Sequence, residues 1–74
     1  MKKEKRITLY KKIWCKIRYW QNLNDIPDEE LATHLGVSIR TIKEYDKDAS
    51  NITLQKLDRF LYLYDLSLNE LLNT

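Results

Sequence analysis

The amino-acid sequence predicts an all-helical fold, a compact bundle of five helices. Three observations lead there. Apolar residues recur every three or four positions in several separate stretches, which is the helical period. The single glycine and the single proline, Gly36 and Pro27, both fall where a helix has to stop or start. No stretch alternates apolar and polar residues with the two-residue period of a strand, and there is no repeat or low-complexity tract. Seventy-four residues make one domain. A chain this short buries only ~60% of its unfolded surface, so a tight helical core or dimerisation is needed to hold it.

Met1–Arg6 (MKKEKR) has no apolar periodicity and reads as a flexible basic arm ahead of a domain over residues 7–74. A first helix is expected from Ile7 or Thr8 to about Trp20. Leu9, Ile13, Ile17 and Trp20 make one stripe, Thr8 is a candidate cap, and Lys11, Lys12, Lys16 and Arg18 fall off the stripe. Gln21–Ile26 reads as a loop, because Asn, Asp and the following Pro27 favour irregular backbone. In the second helix Leu31 and Leu35 share a face. Asp28, Glu29 and Glu30 suit the positive end of its dipole, and Asp25 is a candidate cap that Pro27 leaves ambiguous.

Gly36 can then take the left-handed conformation that turns a helix off. Val37 plugs the corner, and Ser38 caps a third helix over residues 39–46. Ile42 faces back toward Leu31 and Leu35. Helix, glycine turn, helix is the geometry of a helix-turn-helix. Asp46–Ile52 is a connecting loop in which Asp48 is expected to tolerate left-handed backbone. Thr53 caps a fourth helix with a stripe of Leu54, Leu57, Leu61 and Tyr64, ending at Asp65-Leu66. Ser67 and Glu70 form a capping box for a short last helix carrying Leu68, Leu71 and Leu72.

The run ELATHLGVSIRTIKEYD resembles the helix-turn-helix of the Cro/repressor family of small phage and bacterial regulators, the lambda-repressor-like proteins. NITL at Asn51–Leu54 matches the family's loop into its fourth helix, and LSLNELL at Leu66–Leu72 its closing helix. The likeness covers about Asp28 to Leu72. It implies a sequence-specific, double-stranded-DNA-binding transcription regulator whose third helix enters the major groove while the second crosses the backbone. Ser38, Ile39, Arg40 and Glu44 occupy the family's base-reading positions. Arg40 is expected to fork onto guanine and Ile39 to lie against a thymine methyl. Lys43 and Lys47 suit phosphates, and Thr41 fits either role.

The chain departs from the family pattern in places. The path from the first helix to the second is about three residues long in excess, by a longer helix or a larger loop. Asp48 and Ile52 stand where the family has Gly and Pro. Asp28 stands where it has a backbone-contacting Gln, and Glu44 replaces a small or neutral residue on the reading face. Asp28 therefore needs a basic neighbour, with Arg40 and His34 as candidates. Glu44 can serve as a reader by accepting from cytosine.

Net charge is +2 but unevenly spread. Residues 1–24 hold eight Lys/Arg and one Glu, whereas residues 25–74 hold five Lys/Arg and ten Asp/Glu. The basic first third suits a polyanion. Lys2, Lys3, Lys5 and Arg6 are candidate phosphate or minor-groove contacts, with a solvated, uninvolved arm as the other reading. Enzymatic function is not expected. One His and one Cys give no nucleophile–base pair, no metal-ligand spacing occurs, and one glycine cannot build a phosphate loop. No catalytic residue, metal or cofactor is expected. Cys15 reads as a packing residue or a surface thiol. No apolar run approaches a membrane span and no signal peptide is visible, so a cytoplasmic protein without an effector domain is expected.

The carboxylates raise an alternative of another class. An antirepressor of this shape would inactivate a repressor protein by presenting Asp28, Glu29 and Glu44 as a mimic of DNA phosphates. Either role is compatible with a homodimer. Eight aromatics exceed what so small a core hides, so Tyr10, Trp14, Tyr62 and Phe60 are expected to include partly exposed members, with Trp14 and Phe60 read as completing the core.

Overall fold

A computed structural model describes residues 7–74, and they form five α-helices with no strand among them. These are α1 (Leu9–Leu23), α2 (Asp28–Leu35), α3 (Ile39–Lys47), α4 (Leu54–Leu63) and α5 (Leu68–Leu72). The arm Met1–Arg6 and its candidate contacts Lys2, Lys3, Lys5 and Arg6 lie outside the described residues.

Side-chain oxygens start four of the helices. Thr8, Ser38, Thr53 and Ser67 each accept a hydrogen bond from the amide three residues on. Each satisfies an amide that has no partner inside the helix. Ser67 and Glu70 complete the reciprocal capping box. The exception is α2, where Pro27 is the cap and makes no side-chain bond. Asp25, the candidate cap, instead belongs to the end of α1.

Three helices stop in the same way. Beyond α2, Gly36 has φ +75°, its amide bonds to Thr33 O, and the Val37 amide bonds to Ala32 O. Beyond α1, Asp25 has φ +54°, its amide bonds to Asn22 O, and the Ile26 amide bonds to Gln21 O. Beyond α4, Asp65 repeats this with φ +54°, bonding to Tyr62 O, while Leu66 bonds to Leu61 O. This paired closure consumes the last free carbonyls, and the apolar residue after the turn folds back onto the helix. Ile26, Val37 and Leu66 each pack against the core. Asp48, expected to tolerate left-handed backbone, is extended at φ −158°. Its Oδ1 takes the Ser50 amide at 2.9 Å, so the side chain shapes that loop.

These ends correct the first connection. Gln21, Asn22 and Leu23 continue α1 and are not a loop, and Trp20 is not its end. The extra length between the first two helices is therefore helix. The third and fourth helices run within a residue or two of the expected bounds.

The core lies where α1, α2, α3, α4 and α5 converge. Phe60, Ile17, Leu31, Leu35, Ile42 and Leu71 are its fully buried side chains. Trp14 stands edge-on to Tyr45 with centroids 5.1 Å apart, and Trp20 lies 4.5 Å from Tyr64. Trp14 and Phe60 are buried as expected, while Tyr10 and Tyr62 are exposed. Three expected apolar-face positions do not reach the core: Leu9 is 67%, Leu54 81% and Leu68 40% exposed. Each is the first residue of its helix, where the stripe runs past the bundle and none of the described elements covers it. No described helix is long and apolar enough to cross a membrane.

Candidate nucleic-acid interface on the third helix

Helix α3 is positioned from two sides. Its inner face, Ile42 and Tyr45, is buried against the core. Its start is fixed by the Gly36 turn and by Ser38, whose Oγ takes the Thr41 amide at 3.1 Å and lies 3.1 Å from the Thr41 hydroxyl. Ser38 and Thr41 are thus engaged with each other at the helix start. The remaining candidates face outward. Ile39 is 39% exposed, and Lys47 is exposed as well. The side chains of Arg40, Lys43 and Glu44 are 88%, 63% and 62% exposed.

The far end of α3 is held by a cluster that also ties down the start of α2. Arg18, on α1, forks onto Asp46: Nε donates to Oδ1 at 3.0 Å and Nη2 to Oδ2 at 2.7 Å. Its Nη1 donates to Asp28 Oδ1 at 2.8 Å and to Gln21 Oε1 at 2.7 Å. Gln21 is buried, and its amide nitrogen donates to Asp28 Oδ1 at 2.7 Å and to the Ile26 carbonyl at 2.9 Å. The Trp14 indole donates to Asp46 Oδ1 at 2.8 Å. One guanidinium therefore joins α1, α2 and α3 through charge-assisted bonds, the strong kind.

The electrostatics follow. Hydrogen bonds from Gln21 and then Arg18 hold the Asp28 carboxyl below its ordinary range. Arg18 and then Trp14 do the same for Asp46. The Asp46 bond is also the main reason that the Arg18 guanidinium holds its proton more firmly than usual, with partial burial opposing it. The Ser50 amide lowers Asp48. Burial raises the Tyr45 phenol.

The nearest cation to Asp28 is thus Arg18, which it shares with Asp46, and not Arg40 or His34. Lys43 is its second cation, 4.0 Å away. Arg40 pairs instead with Glu44, one turn on, at 3.7 Å. His34 is half-buried, and its Nδ1 is hydrogen-bonded to the Tyr64 hydroxyl. Its carbonyl accepts from Arg59 Nε at 2.8 Å, beside the Gly36 turn. Cys15 is exposed and borders a cleft of about 230 Å³ between α1 and the end of α3.

The cluster's members were visible only in part from sequence. Arg18 lies four residues after Trp14 and three before Gln21, hence on the flank of the α1 core stripe. Placing Gln21 in a loop hid that alignment. Comparison of the chain with known protein families, curated proteins and solved structures finds no significant match.

Proposed function

We propose that this protein is a cytoplasmic, sequence-specific DNA-binding transcription regulator of the Cro/repressor type. Helices α2 and α3 act as its helix-turn-helix, and α3 reads the major groove. One observation carries the reading: the charge that α3 turns outward is mostly basic. Asp28 and Asp46 are engaged by Arg18, and of the charged side chains that α3 turns to solvent Arg40, Lys43 and Lys47 outnumber Glu44, with exposed Asp48 just beyond its end. An engaged carboxylate is partly neutralised before a phosphate approaches. Arg40 has the reach and planar fork to take guanine O6 and N7. Lys43 and Lys47 flank it as phosphate contacts, and Ile39 offers an apolar tip for a thymine methyl. Ser38 and Thr41 mainly set the start of the reading helix.

Bound as a homodimer, the protein would set two α3 helices about 34 Å apart, one duplex turn. Exposed Tyr62 and Leu63 at the end of α4 and Leu68 on α5 offer apolar surface for such pairing. The antirepressor alternative requires Asp28, Glu29 and Glu44 as a free acidic patch. The engagement of Asp28 by Arg18 and Gln21 favours the DNA reading over it.

The test is Arg40→Ala against a site selected by the wild-type protein. The variant is expected to lose ~1–3 kcal/mol on that site and to relax preference at one base pair. Lys47→Ala is expected to weaken matched and unmatched duplexes alike. Unchanged affinity and preference in Arg40→Ala would remove α3 as the reading helix.

A further inference from the structure

A cleft of about 230 Å³ opens between α1 and the end of α3. Lys11, Trp14 and Cys15 lie on one face of α1 and form one wall. Tyr45 and Lys47 of α3 form the other, and Ala49 closes it just past the helix. Trp14, Tyr45 and Ala49 are 3%, 6% and 4% exposed, so the floor is apolar and held in place by the core. One polar group on it is unspent. The Trp14 indole is given to Asp46, but the Tyr45 hydroxyl has no hydrogen-bond partner among the described residues. A covered tyrosine ordinarily places its hydroxyl on a partner. No polar side-chain atom is both shut off from solvent and unpaired, so this hydroxyl is open, and the opening that Tyr45 borders is the cleft. Burial, and then the charge of Glu44, raises the phenol, so it keeps its proton and can donate.

The rim carries two cations, one from each wall. Lys11 and Lys47 are both exposed, and neither forms an ion pair among the described residues. Two carboxylates border the cleft as well. Asp46 has both oxygens taken by Arg18, one of them by Trp14 also. Asp48 is exposed, where solvent and salt screen it. We propose that this cleft binds a small aromatic acid, its ring against Trp14, Tyr45 and Ala49 and its carboxylate on the Tyr45 hydroxyl, drawn there by Lys11 and Lys47. The groups on offer to it are donors, and a carboxylate only accepts. The size agrees. An apolar cavity of about 150 Å³ holds benzene, and the remainder is the share of about two waters, enough for one carboxylate. The assignment goes beyond the DNA-binding reading and does not need it. Where both hold, Lys47 cannot serve ligand and phosphate at once, so an occupied cleft weakens the grip on duplex.

The experiment titrates benzoate into the ¹⁵N-labelled protein and follows its amide resonances. Benzyl alcohol and benzylammonium serve as the uncharged and cationic counterparts at the same ionic strength. Benzoate is expected to give saturable shifts at Cys15, Tyr45, Lys47 and Ala49 and to bind more tightly than either counterpart. Tyr45→Phe keeps the ring and removes the hydroxyl, and circular dichroism checks that its helices remain. It is expected to weaken benzoate by roughly tenfold, the scale of one charge-assisted hydrogen bond, and to leave benzyl alcohol within about twofold. No saturable shift at these residues, a preference for the alcohol or the ammonium, or undiminished benzoate binding by Tyr45→Phe would overturn the proposal. Saturating benzoate, against acetate at equal concentration, is expected to lower duplex affinity in wild type and not in Tyr45→Phe. Benzoate binding by a protein that ignores duplex would uphold the cleft and contradict the DNA-binding reading. Duplex binding without benzoate binding would do the reverse.

Discussion

Arg18 joins three helices with one side chain. It forks onto Asp46 at the end of α3 and reaches Asp28 at the start of α2, with Gln21 bridging from beneath. The ion-pair side chains are 24%, 32% and 39% exposed, so solvent screens them in part. Breaking the fork still leaves two half-covered carboxylates without their cation. Arg18→Met is expected to cost about 2 kcal/mol in urea unfolding at pH 7. The sign of the pH effect follows from the direction of the shifts. Asp28 and Asp46 are held below their ordinary range in the folded protein. Their stabilisation is present above the unfolded carboxylate value of ~4 and is lost as pH falls through the lower folded values. Wild type should therefore lose stability below about pH 4, and Arg18→Met should show a shallower acid loss. The same acid limb in both proteins would mean that the Arg18 cluster contributes nothing to it.

At the scale of the helices, starts and stops are separable. The starts were legible because Thr8, Ser38, Thr53 and Ser67 announce themselves by residue type, and all four cap as expected. The Gly36 stop was equally plain. The Asp25 stop was not, because an aspartate followed by an apolar residue carries the same geometry without the residue type that advertises it. Asp48 drew that expectation instead, and the loss of one stop turned the last turn of α1 into a loop and hid Gln21. The same exchange predicts stabilities. Asp25→Gly and Asp65→Gly should each stabilise by ~0.5–1 kcal/mol, since glycine adopts positive φ without a Cβ penalty. Gly36→Ala should destabilise by ~1–2 kcal/mol through the backbone alone. A Cβ there would meet Arg59 only at 4.0 Å, an ordinary contact. Urea midpoints of the three variants check this, and equal midpoints would contradict it.

Across the whole molecule, the five helices and most of the core were legible from period alone, since burial of one stripe per helix is what a bundle requires. Exposure at the stripe ends, Leu9, Leu54 and Leu68, was not, because period says nothing about where neighbouring helices stop. The outward residues of the candidate interface, Ile39, Arg40, Lys43, Glu44 and Lys47, could be placed once Ile42 was taken as inward. What sequence could not resolve was the sign of the charge around α3, since that depends on which carboxylates are held inside. Two are, Asp28 and Asp46, by a partner as far away in sequence as Arg18, and on the proposed function this favours a basic reading face over an acidic mimic. The most direct measurement of that claim is a fluorescence-anisotropy titration of the protein into random-sequence duplex DNA at low and moderate salt. The account predicts binding at low salt that weakens steeply as salt rises, by roughly 0.9 in log affinity per log salt for each phosphate neutralised. No binding at low salt would mean that the carboxylates dominate the surface, and would contradict it.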